Sequence, residues 1–426
     1  MTTATTPKIL LLTYYWPPSG GSGVQRWMYF AKHLKALGWE PIVITVAPNV
    51  AAYPVLDSSL ALEVENITVI RTASREPLRW YQRWSGSSAL PQGAVPRKNL
   101  LQKFAAFVRG NFFLPDARKG WVPFAIRAVE QQLAQHSIGH LITTGPPHST
   151  HMVGLAIKKK HSLQWWADFR DPWSTIFYNS DFYRLPFAQK KDARLEREVL
   201  QNANGILTTV AGNLHRQLAD KAPQQRFVAL PNGFDADLIT ATKAAPIPKA
   251  FHIVYTGLLT ENHPYEAFVA VLQDLQHQHN IQWTLAGQIA PERIAALQKA
   301  LPKVELVYLD YLPHKEAVAV LKSAQLLVNF IFKGAEQDML SGKILEYMAT
   351  GVPVLSLGAP QSAAATFLAK GTVAKMFAAE DKNGIRAFVA HCITQKGSLK
   401  NTVPQLEQWS RKAIAQRLID EVLASG

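Results

Sequence analysis

Asp338-Met-Leu-Ser341-Gly342-Lys343-Ile-Leu-Glu346-Tyr-Met-Ala-Thr-Gly351-Val-Pro353-Val354 follows the apolar run Leu326 to Ile331. That run has the length and composition of a buried strand. A polar loop comes next, then a short helix opening at Ser341-Gly342-Lys343 and closing at Gly351, then a second strand from Val352 to Leu357. A strand–loop–helix–strand unit of this kind belongs to a parallel α/β sheet. It gathers backbone N–H groups and a lysine at a helix N-terminus, where anions bind well. Asp338 and Glu346 stand eight positions apart and flank a phosphate-sized space. Carboxylates beside phosphate hold sugar hydroxyls or a cation, so the segment reads as a nucleotide-sugar site.

The same alternation extends in both directions. Lys8 to Thr13, Ile42 to Val46, Ile67 to Ile70, Leu141 to Thr144, Leu163 to Ala167, Ile206 to Val210 and Phe227 to Leu230 read as strands. Val24, Trp27, Met28, Ala31 and Leu34 recur at helical spacing, and Gly38 closes that helix. Residues 236–250 lose periodicity and carry two prolines, which predicts a linker. The pattern restarts at Phe251 to Tyr255 and continues through Ile281 to Ala286 and Val304 to Tyr308. Residues 404–424 read as one long amphipathic helix. The 426 residues then divide into two domains, 1–235 and 236–403, with the last helix (404–426) returning to the first.

Hydrophobic content of 48 % and charged content of 18 % are those of a folded chain. No apolar run approaches the roughly 18–20 residues that span a bilayer. Ile9 to Leu12 is too short for a signal peptide, and the single Cys392 fits a reducing, cytoplasmic location. A formal net charge of +14 favours polyanions, whether nucleic acid, anionic membrane or phosphorylated small molecules. One cysteine and scattered histidines lack the spacing of a metal site. Residues 72–120 are rich in Arg, Trp, Pro and Ser, with a basic amphipathic segment from Arg97 to Arg109. That segment is either a helical excursion packing on the first domain or a surface resting on anionic membrane or a lipid-linked acceptor.

Several strand ends carry candidate ligand groups. Tyr14-Tyr15-Trp16-Pro17-Pro18-Ser19-Gly20-Gly21-Ser22-Gly23 is a glycine-rich turn at which Gly20 and Gly21 let backbone approach a ligand, or a plain flexible turn. Arg26 stands where a dinucleotide fingerprint needs Gly or Ala, and no acid follows the second strand, which excludes NAD. Thr144-Gly145-Pro146-Pro147-His148-Ser149-Thr150 is a rigid turn into a helix that Ser149 or Thr150 would cap. His148 there is a sugar-hydroxyl ligand or a structural histidine. Ala167-Asp168-Phe169-Arg170-Asp171-Pro172-Trp173 is a binding loop or a turn locked by an Arg–Asp pair. Gln337 and Ile344 stand where a P-loop requires Gly and Ser or Thr, so the nucleotide-hydrolase reading fails.

Taken in order, these stretches, with Leu230-Pro-Asn-Gly-Phe-Asp235 and the Gly342–Val354 segment, resemble the family 4 retaining glycosyltransferases of bacterial surface-polysaccharide type. The resemblance implies a GT-B fold: two facing Rossmann-like domains with an interdomain cleft, the first binding acceptor and the second the nucleotide sugar. By resemblance Asp338 contacts donor sugar hydroxyls, Glu346 holds the ribose, and Gly257 and backbone from Leu340 through Ser341 and Gly342 meet sugar and phosphates. The family's Arg and Lys after the first strand of the second domain are missing from Thr256-Gly257-Leu-Leu-Thr-Glu261-Asn262-His263. Lys343, with Lys333 or Arg170, then has to supply the positive charge. The implied reaction is front-face transfer of a sugar from a nucleotide diphosphate to a saccharide or lipid-linked hydroxyl. It needs neither metal nor cofactor, keeps the anomeric configuration, and belongs to cell-surface polysaccharide or glycolipid synthesis. His148 joins Asp338 and Lys343 as catalytic candidates. A nucleotide-sugar 2-epimerase on the same fold, and a basic membrane- or polyanion-binding protein without catalysis, are the competing readings. The strand-end clustering of the motifs argues against nucleic acid as the partner.

Overall fold

A computed structural model describes residues 6–51, 53, 56–75, 100–176, 179, 182–334, 340–395 and 397–424. The chain forms two compact units, one of Met1–Leu230 with Ala415–Gly426, the other of Pro231–Ile414. Among the described residues, no helix is long and apolar enough to cross a membrane.

The first unit holds a parallel sheet in the order β3-β2-β1-β4-β5-β6-β7. Its strands are β1 (Lys8–Leu12), β2 (Glu40–Val46), β3 (Thr68–Thr72), β4 (His140–Gly145), β5 (Gln164–Phe169), β6 (Gly205–Thr208) and β7 (Phe227–Ala229). Central strands read as unbroken apolar runs because helices cover both faces, and Ile9 to Leu12 are essentially inaccessible. Leu10 pairs with Ile42 on one side and Leu141 on the other. Trp165 and Trp166 fill the two faces of β5, and glycines make room for them. A Cβ on Gly154 would lie 2.2 Å from the Trp165 indole, and one on Gly205 2.2 Å from the Trp166 ring.

The second unit repeats the plan in the order β10-β9-β8-β11-β12-β13. Its strands are β8 (Phe251–Thr256), β9 (Ile281–Ala286), β10 (Glu305–Leu309), β11 (Leu326–Phe330), β12 (Val354–Leu357) and β13 (Ala374–Phe377). Phe268, Trp283, Leu285, Val328, Phe330 and Leu355 are among its core. In each unit the chain lays three strands outward in one direction, then returns to the centre and builds the other way. The return falls between β1 and β4 and between β8 and β11, the places where such sheets open a crevice at the strand carboxyl ends. Both doubly wound parallel sheets match the expected fold class.

Two expectations need correction. Residues 236–250 are not wholly linker, since Ala236–Ala241 is a helix. Asp235 caps it by accepting the Leu238 N–H at 2.9 Å, and Lys322 donates to the Ile239 and Thr242 carbonyls at 2.9 and 2.7 Å. Ile239 packs on Phe234 and Val318. The C-terminal segment is not one helix. A 3-10 turn (Leu406–Trp409) ends at Ser410, whose extended backbone (ψ 149°) breaks the helical path. The Ser410 hydroxyl accepts the Ala413 N–H and starts a new helix, Arg411–Leu418, which continues as a π-helical turn, Ile419–Leu423. In the first unit Arg226 and Arg417 hold this tail through the carbonyls of Glu421 and Ala229.

Candidate functional site

In the second unit, β8 ends at Thr256 and the chain turns through Gly257 at φ 112°, a conformation that favours glycine. Gly287 after β9 (φ 129°) lies so close that a Cβ on it would stand 2.5 Å from the Gly257 carbonyl oxygen. The two strand-end turns therefore touch main chain to main chain. Lys343, from the Gly342–Ala349 helix, crosses beside Gly257, where a Cβ would meet its Nζ at 3.1 Å. The ammonium sits 4.5 Å from the Tyr255 ring centroid and donates to the Tyr255 hydroxyl at 3.2 Å. That hydroxyl donates onward to the Leu258 carbonyl at 2.6 Å, which fixes the loop. Part of the Lys343 side chain keeps contact with water, yet the ammonium is packed deeply enough for burial to lower its pKa to about 8.

The helix that carries Lys343 starts as its sequence predicts. Ser341 is its N-cap and accepts the Ile344 N–H, while the Cβ side of Gly342 faces open space. First-turn amides of a helix lack partners within it, so this end presents donors as well as the positive end of the helix dipole. Tyr347 stitches the helix to β8 by accepting the Thr256 N–H at 2.9 Å, and burial pushes its phenol up to about 12. Glu346 faces His314 at 2.5 Å between Oε1 and Nε2. Leu340 is buried beneath the helix start. Asp338 lies outside the described residues, as do its neighbours from 335 to 339.

Sequence reasoning missed Arg293, in the helix Pro291–Ala300 after β9. It donates to the Tyr265 hydroxyl, and its guanidinium carbon lies 5.7 Å from the Tyr265 ring centroid. Its buried Nε has no hydrogen-bond partner among the described residues. His263 lies close enough to both cations that, after burial, Lys343 and then Arg293 lower its pKa, to about 4. Its Nδ1 accepts the Thr260 N–H at 3.0 Å, so the imidazole is a neutral clip on the loop. Leu258, Glu261, Gln288, Arg293, Tyr308 and Asp310 line a cavity of about 520 Å³ over the ends of β8, β9 and β10. Lys333 is exposed, and its backbone N–H ties the loop after β11 to the Asn262 carbonyl at 2.8 Å.

In the first unit, Gly20 is buried and Gly21 (φ 88°) precedes the Ser22–Ala36 helix, with open space on its Cβ side. Asp168 has a partner other than Arg170. It is inaccessible and accepts from Arg26 (2.8 Å), Trp27 Nε1 (2.7 Å) and Thr144 Oγ1 (2.7 Å). The arginine that spoils the dinucleotide fingerprint is thus the counter-ion of the strand-end acid. Arg170 spends its guanidinium on backbone, donating to the carbonyls of Gly145 (3.1 Å), Gly23 (2.6 Å) and Pro146. This geometry makes it a staple between two turns.

His148 is 7 % exposed and stacks on Trp173, with centroids 4.9 Å apart and planes 7° from parallel. Among the described residues, neither ring nitrogen has a well-formed hydrogen bond. Burial, then His151, holds its pKa well below the usual histidine value, with Arg170 adding and the Pro172 carbonyl opposing. His148 is therefore neutral. Ser149 and Thr150 do not cap the Ser149–Lys158 helix. Asp116 reaches in from 33 residues away and accepts the Ser149 N–H at 2.8 Å. His151, absent from the sequence-based candidates, shares a hydrogen bond with Thr143 at 2.8 Å and is pushed by burial to a pKa of about 3.

Comparison with known proteins agrees with this architecture. Residues 250–395 match the family model of glycosyl transferases group 1. No curated protein matches the chain. A solved sucrose-phosphate synthase from Thermosynechococcus elongatus superposes with a TM-score of 0.64 at 15 % identity, covering 99 % of this chain and 100 % of that one. The Anabaena protein HepE in complex with UDP-glucose gives 0.62 at 13 % identity, over 98 % and 100 %. The lipopolysaccharide outer core galactosyltransferase WaaB, in its apo form, gives 0.60 at 11 % identity, over 98 % and 100 %. The chain has the GT-B fold, and residues 250–395, within its second unit, are similar to the glycosyl transferases group 1.

Proposed function

We propose that the protein is a retaining glycosyltransferase. It moves a sugar from a nucleotide-diphosphate donor to a hydroxyl of a saccharide or lipid-linked acceptor, in cell-surface polysaccharide or glycolipid synthesis on the cytoplasmic side. The observation that carries this reading is Lys343, a partly desolvated ammonium at a helix start beside the glycine turn after β8. Burying a cation without a counter-ion is costly, and an arriving anion offsets that cost. A diphosphate would meet there the ammonium, first-turn amides around Ser341 and Gly342, and the close-approach backbone of Gly257. Glu346 would accept from ribose hydroxyls, with His314 orienting it. Asp338 is assigned to the donor sugar and His148 to a sugar hydroxyl. HepE binds UDP-glucose, which supports a nucleotide sugar as the donor class.

In the step proposed, the bond from the anomeric carbon to the leaving phosphate oxygen breaks as the acceptor oxygen bonds to the same face. The departing phosphate takes the acceptor proton. Charge develops on the diphosphate, and preorganised positive groups stabilise it most where water is thin. Lys343 and the helix dipole supply that charge without a metal ion. Thermal melts with a panel of nucleotide diphosphates, followed by transfer of labelled sugar and assignment of the product anomer, test the proposal. Stabilisation by one nucleotide and a retained anomer are expected. No shift with any nucleotide, an inverted product, or an epimerised donor without acceptor would overturn it.

A further inference from the structure

Exposed apolar side chains are unevenly placed on this protein. Of the eleven large ones among the described residues, five belong to two neighbouring segments of the first unit: Phe104, Phe112, Tyr183, Leu185 and Phe187, each 41–65 % exposed. Phe104 and Phe112 lie on the Leu100–Phe112 helix, about 80° apart around its axis. Tyr183 and Leu185 lead into the Pro186–Asn202 helix, and Phe187 lies in its first turn.

Buried contacts lock the segments together. Asn111, 2 % exposed, accepts the Leu185 N–H at 2.7 Å and donates to the Tyr183 carbonyl at 3.2 Å. Gly110 is pressed so close that a Cβ would lie 2.5 Å from the Phe182 Cβ. Phe112 and Phe187 meet across the seam with ring centroids 6.5 Å apart. The outward aromatic rings thus sit on a fixed base.

Among the described residues, the rim of this patch is basic. Lys103, Lys119, Lys190 and Lys191 are exposed. Lys119 donates to the Phe112 carbonyl at 2.6 Å and lies 5.0 Å from the Phe113 ring, while Lys191 is near enough to help lower its pKa after burial. The sequence has no Asp or Glu from 97 to 115 or from 182 to 191. Of the three adjoining acids, Asp116 accepts from the backbone N–H groups of Arg118 and Ser149, Asp192 is buried against Arg184 and Trp173, and Asp181 lies outside the described residues.

We propose that this face docks the protein on an anionic lipid bilayer, with the aromatic side chains entering the headgroup region and the four lysines facing lipid phosphates. Amphipathic surfaces that lie on membranes combine aromatic anchors with lysines that extend to the interface. Protein–protein interfaces are depleted in lysine, which counts against a protein occupant. A second copy meeting the same face would oppose like charges across a two-fold contact. The surface is independent of the donor chemistry proposed above, and its test is read without any transfer assay.

Flotation of the full chain with phosphatidylcholine vesicles, with and without about one-third phosphatidylglycerol, tests the docking surface. Binding to the anionic vesicles alone is expected, weakening at least tenfold as salt rises from ~0.1 to ~0.5 M. Lys190→Glu with Lys191→Glu should cost roughly fivefold or more per lysine, and Phe112→Asp with Phe187→Asp should abolish flotation. Both double variants change exposed side chains and should keep the wild-type melting temperature. Flotation unaffected by either pair, equal binding to neutral vesicles, or no binding to anionic ones would overturn the assignment. So would a concentration-dependent dimer dissolved by the same substitutions, which would make the occupant a second copy.

Discussion

Replacing Lys343 by methionine keeps the stem that packs beside Gly257 and removes the charge, so stability and ligand binding should move in opposite directions. Lowering the ammonium from its ordinary 10.5 to about 8 corresponds to about 3 kcal/mol held against the protonated form. Water that still reaches the side chain reduces this to roughly 1–2 kcal/mol. The penalty is fully present below pH 8, fades as pH rises, and is gone near 10.5, where the unfolded lysine also loses its proton. The unliganded variant should therefore melt at or above wild type at pH 7, by roughly 2–6 °C, and the gap should close by about pH 10.5. A diphosphate charge about 4 Å from the ammonium contributes about 4 kcal/mol at an effective dielectric near 20. Its loss should lower turnover about 10²- to 10³-fold. In wild type, kcat/KM should fall above about pH 8 as the free lysine deprotonates, a limb that Lys343→Met lacks. Calorimetric melts with and without nucleotide diphosphate across pH, beside transfer rates, measure every part of this. A variant that melts several degrees lower at pH 7 and still binds the diphosphate would show Lys343 to be a packing residue.

Glu346→Ala should weaken nucleotide binding about 10- to 100-fold in calorimetric titration, through loss of a charge-assisted hydrogen bond, with little change in melting temperature. Asp168→Ala strands the Arg26 guanidinium in an inaccessible site; denaturant unfolding should show a loss of about 3–5 kcal/mol. Arg293→Ala should reduce turnover more than donor affinity if its guanidinium meets charge that develops on the leaving group, and steady-state kinetics separate the two.

Most strands along the chain and the start of the Gly342–Ala349 helix were legible because each depends on neighbouring residues: apolar runs of strand length, a serine cap, and glycine where the backbone turns. Misreadings arose where distant groups decide. Arg26 looked like a flaw in a glycine motif, since its partner Asp168 lies 142 residues away. The cap expected from Ser149 or Thr150 comes from Asp116 instead. The Ala236–Ala241 helix has weak periodicity and depends on Lys322, more than 80 residues on, to satisfy its last carbonyls. Apolar spacing across Ser410 hid the helix break, because Ile414, Leu418 and Val422 continue a plausible stripe on the far side. β13 was missed altogether, being a four-residue edge strand with an exposed Lys375. Arg293 was invisible as a site residue because nothing in its own segment resembles a phosphate motif; only the fold brings it beside His263.

Arg170 fastens the turn after β4 to the start of the helix that follows β1 through three carbonyl oxygens. Changes in those two stretches should therefore show epistasis, with paired substitutions deviating from the sum of single effects. A chimera that imports one stretch from a protein of the same fold would inherit a mismatched staple. Transplanting both together, with the arginine, keeps the joint intact.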